Sequence, residues 1–440
     1  MRMLDIITKK RDGNALTKEE IDFFVTGYVK SEIPDYQVAA LLMAIYFKGL
    51  SEPETINLTL AMANSGEKVD LSMIPGIKID KHSTGGVGDK TTLIVAPIVA
   101  SLGVFVPKMS GRGLGFTGGT IDKLDSIPNL QTSMPIDAFV DIVKEVGFSD
   151  IGQSENLVPA DKKIYSLRDV TATVESLPLI ASSIMSKKIA SGADCILLDV
   201  KCGSGAFMNT LDDSIELAKI MVKIGEHFGK KTVALVTNMD SPLGNAIGNS
   251  IEIVEACETL KGKGPSDLTE LSIELAANML NLAGKGSLES CKLMAKRAIA
   301  DGSAFEKLKA MVKAQNGDIS CLEDYSKFSK AKFQYHVKAK SSGFINKIDA
   351  KLCGEAAKIL GAGRQKKDEK IDCSAGIILH KKVGDRIDSG ETIATLYSSS
   401  LEKQNDAIKV FSNCTLINDN LNQTFPLIYA KVTSAGIEKF

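Results

Sequence analysis

Apolar and polar positions in the first sixty-odd residues repeat at helical spacing. Val38, Ala39, Leu41, Leu42, Ile45 and Tyr46 form one apolar stripe, and Gly49 stands where such a helix stops. Thr17 with Glu20, and Ser51 with Glu54, have the spacing of capping boxes, in which a hydroxyl and a carboxylate satisfy the free amides of a helix N-terminus. The stripe is broad, which predicts packing against another domain or another subunit. From Ile77 the pattern changes. Apolar runs at 77–79 and 104–106 lead into glycine-rich turns, with helical segments after them, and the runs at 195–200 and 232–236 end in small-residue turns. Strand, turn and helix in repetition predict a mostly parallel α/β sheet with its functional loops at the carboxyl ends of the strands. A helical stretch over roughly 177–190 interrupts the series and is expected to rejoin the N-terminal helices. Past about residue 335 glycines punctuate short alternating segments, the signature of a separate β-rich domain.

Composition acts mainly by exclusion. A chain of 440 residues, 44% hydrophobic and 24% charged, is expected to fold as two or three domains. Lys+Arg at 53 against Asp+Glu at 54 leaves a net charge of -1, so no overall field draws it to nucleic acid or an anionic membrane. An anion must be held locally. The longest uncharged apolar run, 93–106, is broken by Pro97 and Gly103 and is too short to span a bilayer. The N-terminus has no secretory apolar stretch, and eight cysteines without a CxxC pair read as free thiols. Both point to a cytoplasmic protein.

Three segments carry candidate chemistry. In the first, KHSTGGVGDKTT from Lys81 to Thr92, glycines let amide groups face one point, the following helix adds its positive end, and Lys81, Ser83 and Thr92 can donate to oxyanions. Asp89 stands where a Walker A loop needs glycine, so the segment is a different kind of anion cradle. In the second, from Lys108 to Thr120, Gly113, Gly115 and Gly118 satisfy GxGxxG formally. A second glycine loop so close behind the first is better explained by two loops converging on one phosphate than by a dinucleotide fingerprint. In the third, from Tyr165 to Lys188, Ser183 and Lys187 share one helical face and Arg168 lies upstream. They suit a polar ring with carbonyl groups; an ordinary solvated helix face fits the spacing equally well. Of four histidines only His82 lies in a motif.

These stretches resemble the thymidine and pyrimidine-nucleoside phosphorylase family. SGRGLGFTGGTIDKLDSIP over 110–128 is similar to its long signature, and KHSTGGVGD, YSLRDVTATVESLPLI, DVKCGSGAFM, SGFINKIDA and AAKILGAGR follow in the family's order. The resemblance implies a multidomain α/β protein: a small all-helical domain over 1–67 joined by about 163–192, a larger α/β phosphate-binding domain with a mostly parallel sheet over 68–162 and 193–335, and a C-terminal α+β domain over 336–440. It implies a homodimer through the helical domain and reversible phosphorolysis of pyrimidine nucleosides to base and pentose 1-phosphate, in pyrimidine salvage. Inorganic phosphate is then the co-substrate and no further cofactor is required. Lys81, Ser83, Thr92, Ser110 and Thr120 are implied to hold phosphate; Arg168, Ser183 and Lys187, with Tyr165, the base; and His82, Arg168 and Lys187 to be catalytic. Lys108 replaces the methionine of strict thymidine phosphorylases, which favours uridine as a substrate beside thymidine and deoxyuridine. A strict thymidine phosphorylase is the alternative. More remote rivals are an anthranilate-type phosphoribosyltransferase and a non-catalytic nucleoside-binding protein.

Two departures stand out. Phe116 replaces the usual histidine of the signature. The broader enzymes hold potassium at positions that here are Gly88, Lys90, Leu243, Ala246 and Glu255; Lys90 replaces a threonine, so its ammonium is expected to stand in for the ion.

Overall fold

A computed structural model describes residues 1–440 apart from Leu114, Glu155, 367–368 and 422–424. Leu114 of the second glycine loop therefore lies outside the described residues.

The N-terminal helices are Met3–Arg11, Lys18–Val29, Asp35–Lys48 and Glu52–Ala63. Both capping boxes form, with Thr17 and Ser51 each accepting from the amide three residues on. Pro159–Asp169 and Leu177–Ala190 complete this unit around Phe24, Leu41, Leu42, Leu58, Ile164 and Leu179. Leu177–Ala190 lies along Glu52–Ala63, and the Thr59 hydroxyl donates to Ser182 Oγ at 3.2 Å.

The central sheet runs Ile79–Ser83, Cys195–Cys202, Lys231–Asn238, Ile428–Thr433, Gly436–Lys439. The first three strands are parallel and the last two antiparallel. Alternation gives each face its own core. Leu197, Val233 and Leu235 pack with the helices Thr92–Ser101 and Ser266–Leu282 on one side. Ile196, Leu198, Val200, Ala234 and Val236 pack with Leu211–His227 and Leu177–Ala190 on the other. The helix Leu177–Ala190 thus belongs both to the helical unit and to the sheet's cover.

Strand positions correct the sequence reading. The first two strands run 79–83 and 106–110, each ending four residues beyond the apolar run that announced it. Polar Asp80, Lys81, Lys108 and Ser110 are strand residues because parallel pairing with Cys195–Cys202 and Phe148–Gly152 satisfies their backbone while opposite charges neutralise Asp80, Lys81 and Lys108.

The last hundred residues form two antiparallel sheets, Arg386–Ile387 / Gly343–Ile348 / Thr415–Asn418 and Ala246–Gly248 / Gly376–Leu379 / Thr392–Ser398 / Phe333–Lys338, with helices Ala350–Ala357 and Leu401–Phe411. The division near residue 336 is crossed in both directions. Ala246–Gly248 of the α/β region joins a C-terminal sheet, and 428–439 joins the central one.

Candidate active site

Strand ends, two glycine loops and the helical unit enclose a cavity of about 870 Å³. Its wall includes His82, Ser83, Thr92, Lys108, Ser110, Phe116, Thr120, Tyr165, Arg168, Ser183 and Lys187. Residues that the sequence assigned to an anion and residues that it assigned to a ring thus face one space.

Close backbone approach shapes the glycine wall. A Cβ at Gly88, whose φ is +72°, would stand 2.5 Å from Leu243 O, and one at Gly119 would stand 2.0 Å from Gly113 N. The two loops are tied together by buried Lys123, which donates to Asp89 O at 3.2 Å and pairs with Glu252 at 3.3 Å. Asp122 holds the second loop, accepting from Gly113 N at 2.7 Å, Arg112 at 2.9 Å and Arg364 of the C-terminal region at 2.9 Å.

Charge on this wall is consumed inside the protein. Lys81 Nζ donates to Thr91 Oγ1 at 2.6 Å and pairs with Asp199 at 3.2 Å; its side chain is 2% exposed. Lys201 pairs with Asp199 at 2.8 Å. Asp89 accepts from the Ser83 hydroxyl and from Thr91 Oγ1 at 2.6 Å. Burial alone would raise the Asp89 carboxyl, but Lys201, Lys81 and these hydroxyls hold it well below the usual carboxylate range. Lys81, which the resemblance implies in phosphate binding, is turned to Asp199 and Thr91 in this structure. Its ammonium lies beneath the cavity and is absent from the lining, because it shares a sheet face with Asp199 one layer below Ser83.

The helical wall is different. Arg168 donates to three backbone carbonyls, Thr173 at 3.1 Å, Leu179 at 3.2 Å and Val174 at 2.6 Å, and no carboxylate pairs with it among the described residues. Lys187, one turn after Ser183, donates to Asp161 at 2.5 Å and to Ser183 Oγ at 3.3 Å. Between the walls, His82 is half-buried. Burial, then the ammonium groups of Lys188, Lys108, Lys187 and Lys81, hold its imidazole well below the usual range, so it is neutral at pH 7. A neutral ring can donate one hydrogen bond but is no imidazolium acid. Lys108 donates to Met109 O at 2.9 Å and lies 3.8 Å from Asp80, which Lys188 holds at 2.7 Å. Asp150 stands across the strand pair from Lys108. Burial pushes its carboxyl up to about 6, against the pull of Lys108.

The positions named for potassium lie away from this cavity. Lys90 Nζ occupies the centre of their oxygen atoms, donating to Leu243 O at 3.0 Å, Ala246 O at 2.8 Å and Glu255 Oε2 at 2.5 Å. Gly88 O accepts from Lys90 N at 3.0 Å. The residues present therefore do not fit a potassium ion: the ammonium takes its place.

Several lining residues were not found from sequence. Asp161, the partner of Lys187, is one of two acidic residues in a polar helix and carries no motif. Phe207 lies 6.2 Å from Phe116 between ring centroids, and Lys351 of the C-terminal region sits 5.8 Å over the Phe116 ring. Only long-range packing brings these together.

The helical unit and the α/β region are the two domains of a glycosyl transferase. Residues 4–66 match the glycosyl transferase family helical bundle domain, and residues 76–305 that family's a/b domain. Residues 344–418 match the pyrimidine nucleoside phosphorylase C-terminal domain. The chain is 53% identical over 434 residues to the pyrimidine-nucleoside phosphorylase of Geobacillus stearothermophilus, covering 98% of this chain and 100% of the relative. It is 54% identical over 417 residues to that of Staphylococcus epidermidis, covering 94% and 96%. The chain belongs to the pyrimidine-nucleoside phosphorylase family and is an enzyme of that family. The anthranilate phosphoribosyltransferase of Thermus thermophilus shares its fold, with a TM-score of 0.58 at 19% identity over 71% of this chain and 100% of that one.

Proposed function

We propose that the protein catalyses reversible phosphorolysis of pyrimidine nucleosides, accepting uridine as well as thymidine and deoxyuridine. The observation that carries this reading is the shared cavity, with the glycine loops on one wall and Arg168, Ser183 and Lys187 on the other. A phosphate oxygen attacks C1' of the sugar while the bond from C1' to the ring nitrogen breaks, and that bond's electron pair leaves with the base. The sugar passes through an oxocarbenium-like state and negative charge spreads onto the base carbonyl oxygens. Arg168 and Lys187 supply positive charge there, and neutral His82 donates a hydrogen bond. One such preorganised donor contributes about 2.7–4 kcal/mol to the barrier. On the other wall Ser83, Thr92, Ser110 and Thr120, with loop amides, orient phosphate as dipoles rather than as ions.

Lys108 lines the same cavity, where an ammonium can donate to a ribose 2'-hydroxyl; this favours the broad range over a strict thymidine enzyme. A homodimer through the helical unit is part of the proposal, supported by Tyr36 and Phe47 standing 73% and 75% exposed there. The test is base release from uridine and from thymidine with and without inorganic phosphate. Release that requires phosphate is expected for both; release of thymine alone would restrict the enzyme to deoxynucleosides, and release without phosphate would refute phosphorolysis. Sedimentation at micromolar concentration should show a dimer, lost when Tyr36 and Phe47 are both changed to Glu.

A further inference from the structure

We propose that Lys90 is a built-in monovalent cation that pins the anion loop to the 241–246 loop, so that this protein needs no alkali-metal ion. The ammonium is fully buried, and each of its three N–H bonds has an oxygen acceptor: two carbonyls of one loop and a carboxylate. None is left over to reach a ligand. Two carbonyls and a carboxylate are the kind of donor set a large monovalent cation takes, and an ammonium group carries the same charge. The carboxylate is itself fixed, since Glu255 also accepts from Asn245 N at 2.9 Å and Ala246 N at 3.1 Å. Burial alone would favour a neutral amine, but Glu255 and Glu252 outweigh it and keep Lys90 charged.

The space is closed to an additional ion. Gly244, with φ at +67°, passes so near that even a Cβ would stand 3.0 Å from Lys90 Nζ. On the outer side of this loop Lys382 donates to Pro242 O at 2.5 Å and Gly244 O at 2.7 Å and pairs with Asp267 at 2.9 Å. Lys90 lies between Asp89, which orders Ser83, and Thr91 and Thr92, which open the helix at the cavity. It is a positioning residue: it sets the cradle's backbone without touching what the cradle holds.

Two measurements test this, one independent of the proposed reaction. The thermal midpoint of the full chain is expected to be the same in potassium, sodium and choline chloride at about 0.1 M, where general screening is equal. Lys90→Thr removes the ammonium and leaves Glu255 unpaired, so its midpoint in choline should fall by about 5 °C or more and recover in potassium chloride. The affinity of that variant for inorganic phosphate, read by calorimetry, should weaken about tenfold in choline and return in potassium. A saturable, potassium-specific rise in the wild-type midpoint would overturn the proposal, and so would a Lys90→Thr loss that no alkali cation restores. If Lys90→Thr does not fold in either salt, the wild-type titration decides alone. Failure of base release with these midpoints intact would count against the reaction and not against Lys90.

Discussion

On both walls of the cavity lysines are matched by carboxylates, Lys81 and Lys201 on one and Lys187 on the other, and Arg168 of the helical wall is the exception. On the glycine wall, Lys81 and Lys201 are matched by Asp199 and Asp89, so two cations and two anions cancel beneath the loops. What remains at the surface of the loops is a set of hydroxyls and amides, beside Lys108 and an Arg112 matched by Asp122 and Asp125. On the helical wall Arg168 is held by three backbone carbonyls and lies 5.7 Å from the Tyr165 ring centroid, with no carboxylate in a salt bridge to it among the described residues. The difference follows from the chemistry proposed for each side. Phosphate arrives fully charged and must leave as product, so a neutral, well-oriented cradle avoids holding it too tightly. The base becomes anionic only as the bond breaks, so an unmatched cation is selective for the transition state.

Removing charge from each wall should therefore give different failures. Arg168→Ala and Lys187→Ala are each expected to lower turnover at least about a hundredfold; near-normal phosphorolysis by either variant would dissolve the contrast. Lys81→Met should act as a structural lesion, costing about 3 kcal/mol of stability by leaving Asp199 partly unpaired, with weaker phosphate binding as a consequence. Unchanged melting with weak phosphate binding would instead put Lys81 in contact with the ligand. Lys108→Met is expected to lower the ratio of kcat/KM for uridine over thymidine by about tenfold, and equal losses on both substrates would remove its role in sugar choice.

The two smallest effects concern pH. Because His82 is neutral far below its ordinary value of 6.5, the profile of kcat/KM should show no inflection near 6.5 that His82→Gln abolishes. Asp150 titrates near 6 in the fold against 3.8 when free, so it favours folding while protonated. That contribution is complete below 3.8 and lost as pH rises through about 6. The melting temperature of Asp150→Asn minus that of the wild type should accordingly climb across this interval; a constant difference would mean that the carboxyl is ordinary.

Local signals were legible in the sequence and long-range ones were not. Thr17 with Glu20 and Ser51 with Glu54 specify helix starts within four residues, and both boxes form. The apolar runs mark only the starts of the first two strands, whose polar carboxyl ends, where candidate site residues lie, read as loops from sequence. Lys81 illustrates the limit: residue type and neighbourhood announce a cation near an anion loop. Which anion it meets depends on Asp199, more than a hundred residues away, through the pairing of Ser83 with Asp199 across parallel strands. Asp161 and Lys351 reach the cavity by the same kind of distant packing. Lys90 was legible because a single substitution at a recognisable position changed the charge of a known donor set, and its three contacts now have distances.

Strands 428–433 and 436–439 cover the flank of Lys231–Asn238. During synthesis the parallel core emerges from the ribosome long before that covering exists. The nascent chain must therefore carry a bare, apolar β-edge through much of its own translation, which is the condition under which neighbouring polypeptides pair wrongly. Slowing elongation over the final segment should increase the insoluble fraction, and supplying 425–440 as a separate peptide should reduce it.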